Sequence, residues 1–333
     1  MITAPAHRAQ PRWQQIWREA VRDPRELLHL LDLPDLAERI SDTAAAQFPL
    51  RVPRSFVARM RCGDARDPLL RQVLPILDED RVAPGFSLDA VGDAAARSAT
   101  GVIHKYHGRA LLIATGSCAI NCRYCFRRHF PYAEETAAAA RWREALEWLR
   151  EHPEIDEVLL SGGDPLALAT PKLAEFTTAL ADITHVQTLR IHTRLPVVLP
   201  ERVDAELLAW LRDLPQRVVV VIHANHGNEF DPAVDAALAA LRTAGATMLN
   251  QSVLLRGVND DADVLTALSK RLFSAGVLPY YLHQLDRVAG TVHFAVDDAR
   301  ARELVDAIRA RLPGYLVPRL VRETAGESAK TPI

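Results

Sequence analysis

The amino-acid sequence predicts an α/β fold in which helices cover a parallel sheet. Two observations carry this prediction: six short β-branched or aliphatic runs, and a longer segment with helical apolar spacing after each of them. Such alternation is typical of parallel strands, because parallel neighbours need a crossover between them. Six units form either an open doubly wound sheet or a partly closed barrel, and periodicity alone fits both.

The first hundred residues precede these units. Residues 11–60 carry apolar residues at three- and four-residue spacing after acidic or proline starts, which predicts a helical N-terminal layer. Residues 63–100 are interrupted by Asp-Pro and Ala-Pro-Gly, which predicts a loop-rich connection that wraps to the next domain. We place a domain boundary near residue 100.

The strand–helix units follow in order, and the prolines at 171 and 232 mark two helix starts, each after a cap residue. A polar segment from residue 322 onwards is expected to be extended. The domains predicted are a helical region with a wrapping loop (1–100), a barrel (101–315) and a C-terminal tail (316–333). The strands predicted are 110–115, 157–161, 188–192, 218–223, 247–254 and 278–282, and the helices 142–150, 173–181, 205–212, 233–244, 262–275 and 299–312.

Composition excludes several classes of protein. The chain has 333 residues, of which 49% are hydrophobic and 25% charged, so it is neither disordered nor fibrous. A formal charge of -2 lacks the basic excess of a nucleic-acid binder. The longest aliphatic run, 218–222, is far shorter than the roughly 18 residues of a membrane span. The polar N-terminus is unlike a secretory signal, so we expect a cytoplasmic protein with reduced thiols.

The cysteines are the residues whose spacing is most informative about the chemistry of the protein. Cys118, Cys122 and Cys125 lie within eight residues of one another, directly after the first predicted strand, whereas Cys62 stands alone. Four cysteines are too few for a disulfide framework, and thiols this dense in a loop are typical of metal ligands rather than of a core. We therefore expect a metal site at the carboxyl end of the sheet.

Two kinds of metal site fit three thiols. A zinc ion needs a fourth ligand, which a nearby histidine would supply. An iron–sulfur cluster usually takes four thiolates, so three leave one iron open to an exogenous ligand, as catalysis requires. The histidines considered for zinc are His104, His107 and His129.

The C-x3-C-x2-C spacing, with Tyr124 before the last cysteine, resembles the radical S-adenosylmethionine superfamily. The stretch KYHGRALLIATGSCAINCRYCFRRHFPY, residues 105–132, is similar to the lysine 2,3-aminomutase family, and within it to the branch that supplies β-lysine for elongation factor P. The resemblance covers residues 100–333. It implies a partial (β/α)6 TIM-like barrel with an N-terminal helical layer.

The resemblance implies a [4Fe–4S] cluster, held by the three loop cysteines, whose open iron binds S-adenosylmethionine. The segment Ser161, Gly162, Gly163, Asp164 resembles the family's contact with the amino group of that ligand, where glycines let the backbone come close. Such a segment is equally typical of a structural turn. His223 and Gln251 resemble residues on the adenosyl side, and the histidine-rich loop is also typical of a hydrogen-bonded turn.

Pyridoxal 5'-phosphate is the third implied cofactor. Lys330 resembles the lysine that binds it as a Schiff base, although a lysine in a polar tail is by itself typical of a solvated charge. Lys105, Tyr106 and Arg109 match positions near the cofactor phosphate, where two cations and a hydroxyl suit an anion.

The substrate residues follow from the same resemblance. Arg127 resembles an arginine that binds the substrate carboxylate, and Asp286 a carboxylate that binds the distant ammonium of lysine. A second carboxylate, aspartate in metabolic aminomutases, is Glu323 in this chain. That difference, and the end of the chain at Ile333, favour the elongation factor P branch.

The implied activity is that of an isomerase, an aminomutase converting (S)-α-lysine to (R)-β-lysine, which a separate ligase attaches to elongation factor P. The implied partners are L-lysine and a reductant such as flavodoxin or ferredoxin, with no nucleic acid and no membrane, and a homodimer is left open. The alternatives are a metabolic lysine 2,3-aminomutase, a radical enzyme without pyridoxal phosphate, and a zinc-binding interaction module.

Overall fold

The computed structural model describes residues 12–132, 136–140 and 142–333. Its α-helices are α1 Arg12–Arg18, α2 Pro24–Leu30, α3 Asp42–Gln47, α4 Arg54–Val57, α5 Pro68–Arg71, α6 Arg143–Glu151, α7 Thr170–Leu180, α8 Leu195–Val198, α9 Ala205–Arg212, α10 Pro232–Thr243, α11 Ala262–Ser274 and α12 Asp298–Arg309. Its strands are β1 Arg97–Ala99, β2 Val102–Tyr106, β3 Arg109–Thr115, β4 Glu157–Gly162, β5 Thr188–Thr193, β6 Arg217–His223, β7 Thr247–Val253, β8 Leu278–His283, β9 Arg319–Arg322 and β10 Thr331–Pro332.

The ten strands form one sheet in sequence order, from β1 to β10. Strands β3 to β9 pair in parallel, whereas β1, β2 and β10 join antiparallel at the two ends. A doubly wound sheet reverses its strand order at a switch point, and this sheet does not. The partial barrel is therefore confirmed, and β1 and β10 are its two edges.

All six predicted strand–helix units are present, with strand bounds that differ from the prediction by one residue at most. The sequence prediction lacked β1, β2, β9 and β10. These four are short and lie at the two ends of the sheet, so no periodic pattern marks them. Strands β2 and β9 pair with strands of the alternating units, whereas β1 pairs with β2 and β10 with β9. The predicted boundary near residue 100 falls at the turn between β1 and β2, and the domain bounds stay a prediction.

One of the two predicted helix caps is correct. The Asp231 carboxylate accepts a hydrogen bond from the Val234 amide, 2.9 Å away, as an N-cap should. The cap predicted at Thr170 is wrong, because helix α7 begins at that residue itself. The Thr170 hydroxyl oxygen accepts from the Arg202 guanidinium at 3.2 Å instead.

The N-terminal layer is helical, as predicted, and its buried side chains join the main hydrophobic core. Trp13, Leu27 and Phe56 belong to the same cluster of buried residues as Leu112 and Leu160 of the barrel strands. Residues 63–100 contain α5 and β1 besides loops. Among the described residues, no helix has the length and apolar character that crossing a bilayer requires.

Candidate active site

One cavity of about 430 Å³ opens at the carboxyl ends of strands β4 to β8. All sixteen residues predicted for the site line it, although they come from segments as far apart as residues 105 and 330. Parallel strands bring their carboxyl ends to one side of a barrel, and the loops after them supply the reactive groups.

The cysteine loop, residues 116–128, follows β3, and the N-terminal layer holds it in place. The Arg51 guanidinium donates to the carbonyl oxygen of Cys118 at 3.1 Å. The Arg123 amide donates to the Gln72 carbonyl oxygen at 2.8 Å. Since both partners precede residue 100, the position of the thiols depends on the helical layer and on the segment that connects it to the barrel.

The three loop thiols are free and line the cavity, whereas Cys62 is exposed. Burial raises the pKa of the Cys118 thiol well above its usual range and that of Cys125 to about 11. Thiols of this kind become thiolates only beside a cation, and iron supplies one. Their chemistry therefore suits an iron–sulfur cluster.

The histidines of the zinc alternative do not line the cavity that contains these thiols. The ring of His104 packs against Trp148, and Nε2 of His129 is 3.3 Å from the Ala289 carbonyl oxygen. Neither these two nor His107 lines the cavity. The geometry does not support the zinc alternative.

The glycine turn after β4 packs against the backbone of the cysteine loop. Gly162 has φ of +114°, and a Cβ atom there would lie 2.7 Å from the Thr115 carbonyl oxygen. A Cβ atom on Gly163 would lie 2.5 Å from the Ser117 carbonyl oxygen. Both contacts are impossible for a larger residue. The glycines are thus required by the approach of two loops, a reason that the sequence pattern does not reveal.

The Asp164 carboxylate is buried and bonded within the protein. Its Oδ1 accepts from the Thr193 hydroxyl at 2.7 Å, and its Oδ2 accepts from the Arg194 amide at 2.7 Å. Burial raises its pKa despite these bonds. Asp164 therefore joins the end of β4 to the end of β5.

Two predicted cations share a carboxylate that the sequence analysis missed. Asp93 accepts from Arg127 Nε at 2.7 Å and pairs with Lys105 Nζ at 2.6 Å. Nη1 of Arg127 donates to the Ser161 hydroxyl oxygen at 3.1 Å. Asp93 lies in a loop without a motif, and only its burial beside two cations identifies it. It holds both cations at the wall of the cavity.

Lys330 and Glu323 meet beside these cations, since Glu323 Oε1 lies 3.6 Å from Lys105 Nζ. Strand β10 pairs with β9, so that Thr331 faces Arg322. This pairing places Lys330 Nζ 2.5 Å from Glu323 Oε2. The Tyr106 hydroxyl donates to Glu323 Oε1 at 2.6 Å. Glu323, predicted to face the substrate, is therefore already bonded to two other predicted site residues.

Several buried polar atoms at the cavity have no hydrogen-bond partner among the described residues. These are Asp286 Oδ1, the Nε atoms of Arg109 and Arg194, and the Nε2 atoms of His192 and His283. Burial raises the pKa of Asp286 to about 7, opposed by the charge of Lys330. Buried polar atoms are normally satisfied, so an unpaired carboxylate oxygen and an unpaired guanidinium nitrogen suit a ligand with one cationic and one anionic group. The sequence analysis did not single out His192 or His283.

Comparison with known proteins agrees with this site. The Radical SAM superfamily profile matches residues 112–267. The L-lysine 2,3-aminomutase of Escherichia coli is 49% identical over 323 residues, which are 96% of this chain and 94% of the relative. That of Haemophilus influenzae is 45% identical over 98% of this chain and 97% of its own length. That of Clostridium subterminale is 32% identical over 97% of this chain and 77% of its own length.

The sequence identity extends over nearly the whole chain. The cavity contains the three free thiols, Lys330 and unpaired charged atoms of both signs, which is consistent with it. The chain belongs to the L-lysine 2,3-aminomutase family of radical S-adenosylmethionine enzymes.

Proposed function

We propose that this protein converts (S)-α-lysine to (R)-β-lysine and that the product serves the modification of elongation factor P. One observation carries the proposal: a single cavity contains the three thiols, Lys330, and unpaired charged atoms of both signs. The unpaired Asp286 oxygen matches an ammonium group of a diamino acid, and the unpaired Arg109 nitrogen matches the phosphate of a cofactor.

The cofactors of the family are a [4Fe–4S] cluster, S-adenosylmethionine and pyridoxal phosphate. When bound, they supply the radical chemistry and the π system that nitrogen migration needs. The cysteine loop would hold the cluster, and the glycine turn with His223 and Gln251 would contact S-adenosylmethionine. Nε2 of His223 and Nε2 of Gln251 are 2.8 Å apart, so the two side chains already orient each other.

Arg109, Tyr106 and Lys330 fit the phosphate-bearing cofactor, pyridoxal phosphate. Arg109 Nε is buried and unpaired, and the Arg109 guanidinium lies over the Tyr106 ring, 4.7 Å from its centroid. A phosphate would satisfy that nitrogen by a charge-assisted bond. Lys330 would hold the cofactor aldehyde. Its ion pair with Glu323 orients Nζ into the cavity beforehand.

Substrate would be bound through its two ends. The Arg127 guanidinium is fixed by Asp93 and suits a carboxylate, because its planar fork donates two parallel bonds. Asp286 would receive the distant ammonium. The two ends of lysine would thus be held while the reaction proceeds between them, which is the positioning that such chemistry needs.

The test is an anaerobic assay with a reductant, S-adenosylmethionine, pyridoxal phosphate and (S)-α-lysine. We expect (R)-β-lysine from the intact chain, and none from a Cys125→Ala variant, which should lack the cluster. Flavodoxin or ferredoxin is the proposed physiological reductant. Failure of the intact, iron-loaded protein to form β-lysine contradicts the proposal.

The link to elongation factor P is supported by Glu323, which stands where metabolic members of the family have aspartate. Mass spectrometry of elongation factor P from cells with and without the gene tests it. A β-lysyl group lost with the gene is the expected result. Unchanged modification would instead favour a metabolic aminomutase that releases free β-lysine.

Asp286 should impose a pH dependence on substrate capture. Its pKa of about 7 lies well above that of an ordinary aspartate, so below pH 7 the carboxyl is protonated and cannot pair with the substrate ammonium. We expect kcat/KM for lysine to fall by about an additional tenfold per pH unit from pH 7 to 5. Asp286→Asn should have a lower kcat/KM at pH 8 and lack this additional slope.

The comparison of slopes is the control, because protonation of the substrate α-amine affects both proteins equally. Parallel pH profiles for the intact protein and Asp286→Asn would show that Asp286 does not bind the ammonium.

A further inference from the structure

Arg194 contacts one of the cluster cysteines directly. The residue follows β5, and its side chain is 6% exposed. Its Nη1 lies 2.7 Å from Cys122 Sγ. We propose that Arg194 is a positioning residue that hydrogen-bonds this cluster ligand and thereby raises the reduction potential of the cluster. The inference rests on the proposed function, because it requires that Cys122 holds a cluster.

Besides the contact with sulfur, three hydrogen bonds hold the guanidinium in this place and a fourth holds the backbone of Arg194. Nη1 also donates to the Tyr124 hydroxyl at 2.7 Å, and Nη2 donates to Gln72 Oε1 and Glu229 Oε2, both at 2.8 Å. The backbone amide donates to Asp164 at 2.7 Å. Because both Nη atoms and the backbone amide of Arg194 are hydrogen-bonded, the guanidinium is held against the Cys122 sulfur.

The partners of Arg194 are in turn bonded to one another. Asn225 Nδ2 donates to Gln72 Oε1 at 3.0 Å and to the Tyr124 hydroxyl oxygen at 2.7 Å. The backbone amide of Asn225 donates to Glu229 Oε1 at 2.8 Å. The network joins the N-terminal layer, the cysteine loop and the ends of β5 and β6. It bonds both Nη atoms of the guanidinium, whereas Arg194 Nε has no hydrogen-bond partner among the described residues.

The direction of the effect follows from electrostatics. Reduction adds one electron, delivered by the external reductant, to a cluster whose ligands are already anionic. An N–H group pointed at a ligand sulfur withdraws charge from it and stabilises the reduced form more than the oxidised form. Glu229 balances much of the net charge of Arg194 at longer range, so the effect should come mainly from the short contact with sulfur.

The test measures the midpoint potential of the anaerobic, iron-loaded protein by electron paramagnetic resonance. Arg194→Gln should lower the ratio of reduced to oxidised cluster about tenfold at a fixed potential, which equals a shift of about 59 mV for one electron. The double variant Arg194→Gln, Glu229→Gln removes both charges together and should show the same shift. It avoids leaving Glu229 as an unpaired buried carboxylate.

Arg202 provides a matched control. It is a fully buried arginine whose guanidinium donates to the carbonyl oxygens of Leu166 and Leu168 and lies outside the cavity. Arg202→Gln should leave the midpoint potential unchanged. An equal shift in both arginine variants, or no shift in either, would overturn the inference. So would an unchanged potential with weakened binding of S-adenosylmethionine, which would assign Arg194 to that ligand.

A measurement on the unmutated protein covers the case in which the variants lose iron. Protein grown with ¹⁵N-arginine should show weak nitrogen coupling to the reduced cluster in electron spin-echo spectra, and the absence of any arginine coupling would contradict the contact. If the unmutated protein itself contains no iron–sulfur cluster, the proposed function fails, which is a different result from an unshifted potential.

Discussion

Replacing Lys330 by alanine should remove the pyridoxal absorbance and reduce β-lysine formation at least about a thousandfold. Lys330 lines the cavity, as Lys105 does, and its Nζ lies 2.5 Å from Glu323 Oε2. Without that amine the protein has no covalent hold on the cofactor. The absorption spectrum of the anaerobically purified variant, with cofactor added, measures the first effect, and the assay described above measures the second.

The variant should still fold and bind iron. Glu323, which loses its lysine partner, retains the hydrogen bond from Tyr106 and lies 3.6 Å from Lys105 Nζ, so its charge stays compensated. Lys172 on α7 is a matched control, since its side chain is half-exposed and pairs with Glu175 at 3.6 Å. Lys172→Ala should keep both cofactor absorbance and activity. An unchanged pyridoxal spectrum in Lys330→Ala would contradict the assignment and favour a radical enzyme without that cofactor.

The sequence predicts what local patterns encode. The six strand–helix units follow from apolar periodicity, and the thiols follow from their spacing in one loop. Periodicity fits two sheet arrangements, and the strand order observed in the structure distinguishes them.

Pairings between distant segments were not predictable in this way. Glu323 contacts Tyr106 across 217 residues of sequence, and Asp93 joins Lys105 to Arg127 although no motif surrounds it. Such contacts depend on how the barrel closes and on which loops lie above it. Family resemblance located Glu323 and Lys330 but not the ion pair between them.

Replacing Glu79 by alanine should destabilise the fold by about 3–5 kcal/mol and release iron. Glu79 is buried between two arginines of the cysteine loop. Its Oε1 accepts from Arg123 Nε at 2.8 Å, and its Oε2 accepts from Arg123 Nη2 at 2.6 Å and Arg128 Nη2 at 2.8 Å. Alanine would leave two guanidinium groups buried beside the cluster ligands without a counter-ion.

Glu79→Gln separates charge from shape, because the amide oxygen still accepts a hydrogen bond while the negative charge is lost. We expect the free energy of unfolding of Glu79→Gln to lie between that of Glu79→Ala and that of the intact protein. Asp78, the preceding residue, offers a matched control: it pairs with Arg39 at 2.9 Å, and the two side chains are 46% and 59% exposed. Exposed pairs contribute about 0–1 kcal/mol, so Asp78→Ala should change stability little and retain iron.

Anaerobic measurements of urea unfolding and iron content in Glu79→Ala, Glu79→Gln and Asp78→Ala test these expectations. The carbonyl oxygens of Phe48 and Ala44 also accept from Arg123, so this arginine keeps part of its bonding when Glu79 is absent. Among the described residues, Arg128 keeps hydrogen bonds to two acceptors, the carbonyl oxygens of Arg123 and Gly290. The cysteine loop should therefore loosen first at its Arg128 end, and iron should be lost at lower urea concentrations than those that unfold the barrel. Loss of iron and unfolding at the same urea concentration in Glu79→Ala would show that the N-terminal layer supports the whole barrel rather than the loop.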